Sequence, residues 1–170
     1  MNAQIKWPND VLINGKKVCG VLSEIITSLS GYINFVIVGI GINTNIDLNS
    51  FPKHLQFSVT SISSELKKEI DAENFLCTLL TELENYYFLL MNGSFDSILE
   101  EWKELNCILD TYVEVERLDG TIKGTAVDVD KDGALLIKLE NGSVNRIISG
   151  DVILKRFNKT RLKTTSEKTS

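Results

Sequence analysis

An α+β fold in two successive parts is predicted by three features of the sequence. Short apolar runs broken by tight turn signals fill residues 5 to 45, helical periodicity takes over from 59 to 106, and from Tyr112 strands return with Gly-containing turns at short intervals. A pattern period that moves from two to between three and four, then back to two, separates sheet, helices and sheet. A partial sheet with its helices is expected over residues 1–108, a small antiparallel barrel over 109–157, and a polar tail over 158–170.

In the first part, Trp7 precedes Pro8 and is pushed toward extended geometry. Val11-Leu12-Ile13 reads as a strand, and Asn14-Gly15 is the dipeptide best suited to a type I′ hairpin turn. Val18 to Ile26 returns as a second strand, Ser30-Gly31 punctuates, and Tyr32 to Ile42 makes a third. That third strand is apolar on both faces, so it is expected to be central and covered on both sides. Tight turns between the three make them antiparallel.

Thr60 or Ser61 is placed to cap a short helix running through Lys68. Leu76, Leu80, Leu83, Tyr87 and Leu90 then recur at spacings of three and four, one apolar stripe of a longer helix that Asn92-Gly93 ends. Ser94 is placed to cap a third helix with Phe95, Ile98, Trp102 and Leu105 on its buried face. Core packing is the reading for Trp102 and the tyrosines. In the second part, Asp119-Gly120, Asp132-Gly133 and Asn141-Gly142 separate Val113-Glu114-Val115, Ile122 to Val129, Leu135 to Leu139 and Val144 to Ile148. Closely spaced short strands of this kind indicate a small barrel. The residues after Phe157 are polar and mildly basic and are expected to be disordered.

Composition narrows the function classes. Hydrophobic residues make up 43% and charged residues 24% of the 170, as in a soluble globular chain. The net charge of −5 argues against a sequence-independent grip on nucleic acid. No apolar run approaches the ~20 residues of a membrane helix. Met1-Asn2-Ala3-Gln4 lacks the regions of a signal peptide, so a cytoplasmic location is expected. Cys19, Cys77 and Cys107 are far apart and His54 is the only histidine, so no zinc ligand set is present and buried free thiols are expected.

Three groups of residues could carry chemistry. Lys6 and Lys16-Lys17 flank a tight hairpin and could meet at one end of a sheet, where they would neutralise phosphate or carboxylate oxygens; the alternative is a pair of hairpin-tip lysines serving solubility. Gly39-Ile40-Gly41-Ile42-Asn43 interrupts an apolar strand. Glycine there signals close approach by a ligand, or else by a packed strand. Asn9-Asp10 follows Trp7-Pro8, and a carboxylate at a strand edge could accept a proton or orient an amine; an Asx turn is the plainer reading.

Together these residues resemble one family. Lys6-Trp7-Pro8-Asn9-Asp10-Val11, then Gly15-Lys16-Lys17-Val18-Cys19-Gly20-Val21-Leu22-Ser23-Glu24, then Val38-Gly39-Ile40-Gly41-Ile42-Asn43 are similar, in order and spacing, to three blocks of biotin–protein ligases. Gly133-Ala134-Leu135-Leu136 and Ser149-Gly150-Asp151-Val152 resemble that family's small C-terminal domain. The resemblance covers about residues 5 to 156. It implies the C-terminal half of a class II synthetase-like catalytic domain with a mixed or antiparallel sheet, followed by an SH3-like barrel.

The activity it implies is ATP-dependent conversion of biotin to biotinyl-5′-AMP, with ATP used together with Mg2+, and transfer of biotin to a lysine of a carboxylase's biotin carboxyl-carrier domain. By matching position, Lys17 would contact biotin and the activated carboxyl–phosphate linkage, and Asp10 would orient or deprotonate the acceptor lysine. Lys6 would lie near phosphate, Asn9 and Asn43 near the adenylate, and Gly20 and Gly41 would let the ligand come close; Trp7 joins the binding set. The barrel would help to hold nucleotide or carrier. A Gly- and Arg-rich loop that the family carries upstream of the first block is absent here, so the expectation is a ligase completed by a separately encoded N-terminal half. Set against that family, no N-terminal DNA-binding domain is expected in this chain either. The alternatives are a non-catalytic carrier-docking or biotin-binding module, and a remnant of a split gene. Self-association into a homodimer through the sheet is also implied.

Overall fold

The computed structural model describes residues 1–28 and 30–154. The first part is a four-stranded antiparallel meander: β1 (Ala3–Lys6), β2 (Asp10–Ile13), β3 (Lys16–Thr27) and β4 (Ile33–Ile42), in that order across the sheet. The strand β1, ahead of the first block, adds to the three that the turn signals predict. Asn14 and Gly15 join β2 to β3 with φ of 52° and 75°, the left-handed pair that a type I′ turn requires. Trp7, Pro8 and Asn9 turn the chain between β1 and β2, with a cis Trp7-Pro8 bond.

Helix α1 (Ile62–Leu66) is capped by Ser61, whose hydroxyl accepts from the Ser64 N–H; Thr60 does not cap it. The helix ends before the expected Lys68 because Lys67 takes a left-handed conformation. Asp71 caps α2 (Ala72–Met91) by accepting from two N–H groups. Ser94 stands at the N-cap of α3 (Phe95–Leu105) but makes no side-chain cap bond, contrary to expectation. No helix among the described residues is long and apolar enough to cross a membrane.

The second part is one antiparallel sheet of five strands: β5 (Tyr112–Arg117), β6 (Gly120–Val129), β7 (Leu135–Lys138), β8 (Val144–Ile147) and β9 (Asp151–Leu154), ordered β8-β7-β6-β5-β9. The strand β9, which follows Gly150, exceeds the expected set. Val113, Val115, Leu135 and Ile137 are fully buried. A flat sheet with a bare face could not hide them, so these strands curl around their own apolar face, as in a small barrel. Gly124 faces Val113 across β5 and β6. A Cβ there would lie 2.4 Å from the Lys138 carbonyl oxygen, so only glycine lets β6 and β7 approach. The expected polar tail lies outside the described residues.

The two parts share a core. Trp7 is only 2% exposed and packs with Ile108, Val113, Val129, Leu135 and other barrel residues. Its indole N–H donates to the Gly133 carbonyl at 2.9 Å. Leu99 and Trp102 of α3 pack against the same cluster. Lys103 reaches Asp128 at 3.0 Å, and Cys107 N–H donates to Ile5 O. The core of the second part thus draws on Trp7 and Ile108, both from the stretch 1–108.

A second, smaller core of Ile13, Val18, Cys19 and Ile62 lies between the first sheet and α1, with Ile40, Ile42, Ile70 and Phe75 against it. Beyond that point the sheet is bare. The expectation that β4 is central and covered on both sides is not met: it is the edge of the described sheet, and Phe35, Val36, Ile37 and Val38 are each at least half exposed. The stripe on α2 is likewise uncovered, with Leu80 at 56% and Tyr87 at 58%. Phe95 and Leu105 of α3 are exposed rather than buried, leaving Trp102 as the part of that face which packs. Apolar periodicity reports which faces require cover, and no described layer supplies it here.

Trp7→Ala is expected to cost about 3–5 kcal/mol, and Gly124→Ala about 1–3 kcal/mol by overpacking. Urea denaturation followed by circular dichroism measures both, and an unchanged midpoint would contradict the packing described.

Candidate functional site

The sheet register brings four predicted residues into one line. Lys6 pairs with Asp10, Asp10 with Gly20, and Gly20 with Gly41. Directly opposed residues of antiparallel strands project to the same face. One row across all four strands thus runs from a cation, through a carboxylate, to two positions without side chains.

Lys17 shares a face with the whole of this row through an irregularity. Leu12 pairs with Lys17, and the next residue of β2, Val11, pairs with Cys19, so Val18 is an extra residue on β3. A bulge of this kind re-aims side chains. Regular alternation would put Lys17 and Gly20 on opposite faces. The bulge lets Val18 and Cys19, adjacent in sequence, both enter the small core, and brings Gly20 to the face that Lys17, paired with Leu12, already shares with Asp10. The Lys17 ammonium contacts Asp10 Oδ1, while the Lys6 ammonium lies 3.8 Å from Asp10 Oδ2. A Cβ on Gly20 would stand 3.1 Å from Lys17 Nζ, so glycine leaves room for the ammonium to lie over the strand. Lys16 pairs with Ile13 on the other face and does not join the group.

Gly41 answers a question that spacing leaves open. A Cβ there would meet nothing nearer than the Gly20 carbonyl at 3.8 Å, an ordinary contact. Packing within the described chain therefore does not demand glycine, and the space above the row is open. Lys6, Asp10, Leu12, Gly15 and Lys17, together with Leu55, Ser58 and Val59, line a cleft of about 520 Å³.

Segment 55–60 is the part that sequence reasoning missed. Lys17 N–H donates to Ser58 O and Thr60 N–H donates to Lys17 O, each at 2.8 Å, clamping the Lys17 backbone where β4 has already ended. The segment forms only an isolated bridge. Leu55, Phe57 and Val59 alternate with Gln56, Ser58 and Thr60, and this period-two signal could have marked it. Asn43 holds the same corner. Its N–H donates to the carbonyl of the bulged Val18, and its side-chain amide donates to Thr60 O at 3.0 Å. Asn9 donates its amide to Val21 O at 2.6 Å, beside Gly20. Both amides are thus engaged in holding backbone. Trp7 stands apart from the row, buried against the barrel.

Burial pushes the Cys19 thiol up; Lys17 draws it down and Asp10 up, as a smaller effect. Burial likewise raises Cys107. Both behave as packed neutral thiols, whereas Cys77 is exposed on α2, against expectation. Among the described residues no cluster of three or more His, Cys, Asp or Glu could hold a metal ion, and Asp10 is occupied by two ammonium groups. The described residues therefore form no built magnesium site.

Residues 1–43 match the Biotin/lipoate A/B protein ligase family, and residues 110–155 match the Biotin protein ligase C terminal domain. The chain is 35% identical over 154 residues to the bifunctional ligase/repressor BirA of Bacillus subtilis, covering 91% of this chain and 47% of that protein. It is 27% identical over 150 residues to the biotin–[acetyl-CoA-carboxylase] ligase of Mycobacterium tuberculosis, covering 88% and 52%. The chain thus spans about half the length of these curated relatives. The structure of the Aquifex aeolicus biotin protein ligase in complex with biotin and ATP superposes with a TM-score of 0.75 at 29% identity, covering 92% of this chain and 63% of that one. Two matching segments at the two ends of the chain and an α+β fold shared over nine-tenths of its length agree: the chain belongs to the biotin protein ligase family.

Proposed function

We propose that this chain contributes the cationic half of a site that activates biotin with ATP and passes it to a lysine of a biotin carboxyl-carrier domain. The observation that carries the reading is the row Lys6–Asp10–Gly20–Gly41 with Lys17 on the same face. Two ammonium groups stand at one end of an open glycine floor. Such a floor suits an elongated ligand with an anionic end, and the cations suit the charge that moves in both steps. In the first step a biotin carboxylate oxygen attacks the α-phosphorus of ATP, and the bond to pyrophosphate breaks. In the second the acceptor amine attacks the acyl carbon, AMP leaves, and the amine loses its proton.

In this reading Lys17 lies against the carboxyl–phosphate linkage, and Lys6 neutralises phosphate at the far side of Asp10. Asp10 orients both ammonium groups before the ligand enters and faces the incoming acceptor amine. Asn9 and Asn43 fix the backbone around Gly20 and Val18, so the floor under the adenylate stays flat. The bare faces of β3, β4 and α2 take the remainder of the ligase fold, the share of the relatives that this chain does not span. A carrier-docking module without catalysis is the second reading, favoured by the exposed apolar surface.

Lys17→Ala is expected to lower transfer of biotin to a carrier-domain lysine by ~10²–10³-fold. The measurement is incorporation of labelled biotin in the presence of ATP, with the chain supplied together with the remaining ligase segment. Unchanged incorporation would remove Lys17 from the chemistry. Lys6→Ala should act on the same assay mainly by weakening ATP use. Carrier binding with no pyrophosphate release under any of these conditions would establish the docking reading instead.

A further inference from the structure

Lys17 sits on a hairpin that its own strands hold weakly. Strand β2 has four residues and is joined to β3 by a two-residue turn, and the pairing is broken by the bulge at Val18. Short ribbons of this kind are marginal without tertiary support. Support comes from a carboxylate 48 residues further along, on the short helix beneath the sheet. Glu65 Oε2 accepts from the side-chain amide of Asn14 at the hairpin tip, and Oε1 accepts from the Thr60 hydroxyl, each at 2.6 Å. Thr60 is the residue whose N–H donates to Lys17 O, and it is almost completely buried.

We propose that Glu65 is a positioning residue for Lys17: one carboxylate ties the hairpin tip to the segment that clamps the Lys17 backbone, and so fixes where the ammonium stands over Gly20. The function of Lys17 in this statement rests on the reading of the preceding subsection. Two further contacts favour the latch. The Glu65 N–H donates to Ser61 O, so its own backbone is held in the helix. The Asn43 amide grips Thr60 from the other side. The Thr60 hydroxyl first, then the Asn14 amide, holds the Glu65 carboxyl below its usual range, which keeps it an acceptor for both. Lys16, on the face away from the cleft, adds an attraction in the same direction.

Without the latch the hairpin tip and the 58–60 segment move independently, and Lys17 loses its fixed direction. Misplacement of a reacting group by about 1 Å can cost on the order of a hundredfold in rate. Glutamine can keep both links, because its oxygen accepts from Asn14 and its amide donates to the Thr60 hydroxyl oxygen.

The test is amide hydrogen exchange on this chain, with the ligation assay alongside. Glu65→Ala should speed exchange at the Lys17 and Thr60 amides about tenfold or more, with the barrel amides of Val113 and Leu135 unchanged as a control for folding. In the assay it should lower kcat about ten- to a hundredfold and leave the KM for the carrier in place. Glu65→Gln should restore most of both. If Glu65→Ala does not fold, Asn14→Gly keeps the positive φ of the turn, removes one link, and should give the same local exchange on a smaller scale. Unchanged exchange at Lys17 in either variant, or a Gln variant as impaired as Ala, overturns the latch. Full ligation by Lys17→Ala would defeat the reading of Lys17 instead, and the exchange result would still decide whether the latch exists.

Discussion

The fold depends on one indole. Trp7 lies in a turn of the first sheet, yet its ring fills the core of the second part and its N–H satisfies a barrel carbonyl. An apolar body and one polar handle, both fully used, make this contact expensive to give up. Its location matters as much as its size. Lys6 ends β1 immediately before the anchor and Asp10 opens β2 three residues after it. Fixing the turn at Trp7 therefore fixes the two residues that start the row across the sheet. Among the described residues the C-terminal barrel contributes no lining to the cleft, but it holds the corner from which the cleft is built.

The second constraint is the surplus residue on β3. The Asn14-Gly15 turn sets Lys17 opposite Leu12, on the open face, and a regular pairing continued from there would bring Cys19 opposite Asp10 and turn Gly20 to the other side. The bulge exchanges that arrangement for two consecutive buried residues, Val18 and Cys19, and a glycine opposite Asp10 on the open face. Its cost is an interrupted β2–β3 ladder. On the other edge of β3, where β4 has ended, Val18 O accepts from Asn43 and the Lys17 backbone pairs with Ser58 and Thr60. The segment 55–60 thus continues the hydrogen bonding of β3 past the end of β4, and it becomes the second wall of the cleft.

Much of this was legible in the residues, for identifiable reasons. Asn14-Gly15 sets the β2–β3 turn, and the two-residue loop then sets which residues face each other near it. Lys6, Lys17, Gly20 and Gly41 could be singled out because cations and glycines are unusual in apolar strands. Their meeting in one place could not be read from spacing, since the alternation rule counts Lys17 with Cys19 and against Gly20. Trp7 stands inside the block that carries Lys6 and Asp10, yet its environment is set by residues more than a hundred positions away. The burial expected for β4 and α2 failed for a different reason. Hydrophobic pattern records the demand for cover, and cover is a property of neighbours.

Where the sheet is covered and where it is bare also bears on how the site works. The described cores enclose Ile13, Val18, Cys19 and Ile62 at the end of the sheet that carries the row, with Ile40 and Ile42 packed beside them. The bare residues, Leu22, Ile25 and Phe35 to Val38, lie along β3 and β4 beyond that end. Exposed apolar surface of this extent marks a contact face. The support for the cationic row and the demand for an outside partner therefore fall on different stretches of the same two strands. The hydrogen bonds that place Lys6, Asp10 and Lys17 are internal to the chain and do not wait on that partner. What the partner adds is enclosure: a dry, walled space above the glycine floor, in which the same charges act far more strongly on a ligand than they can in an open cleft.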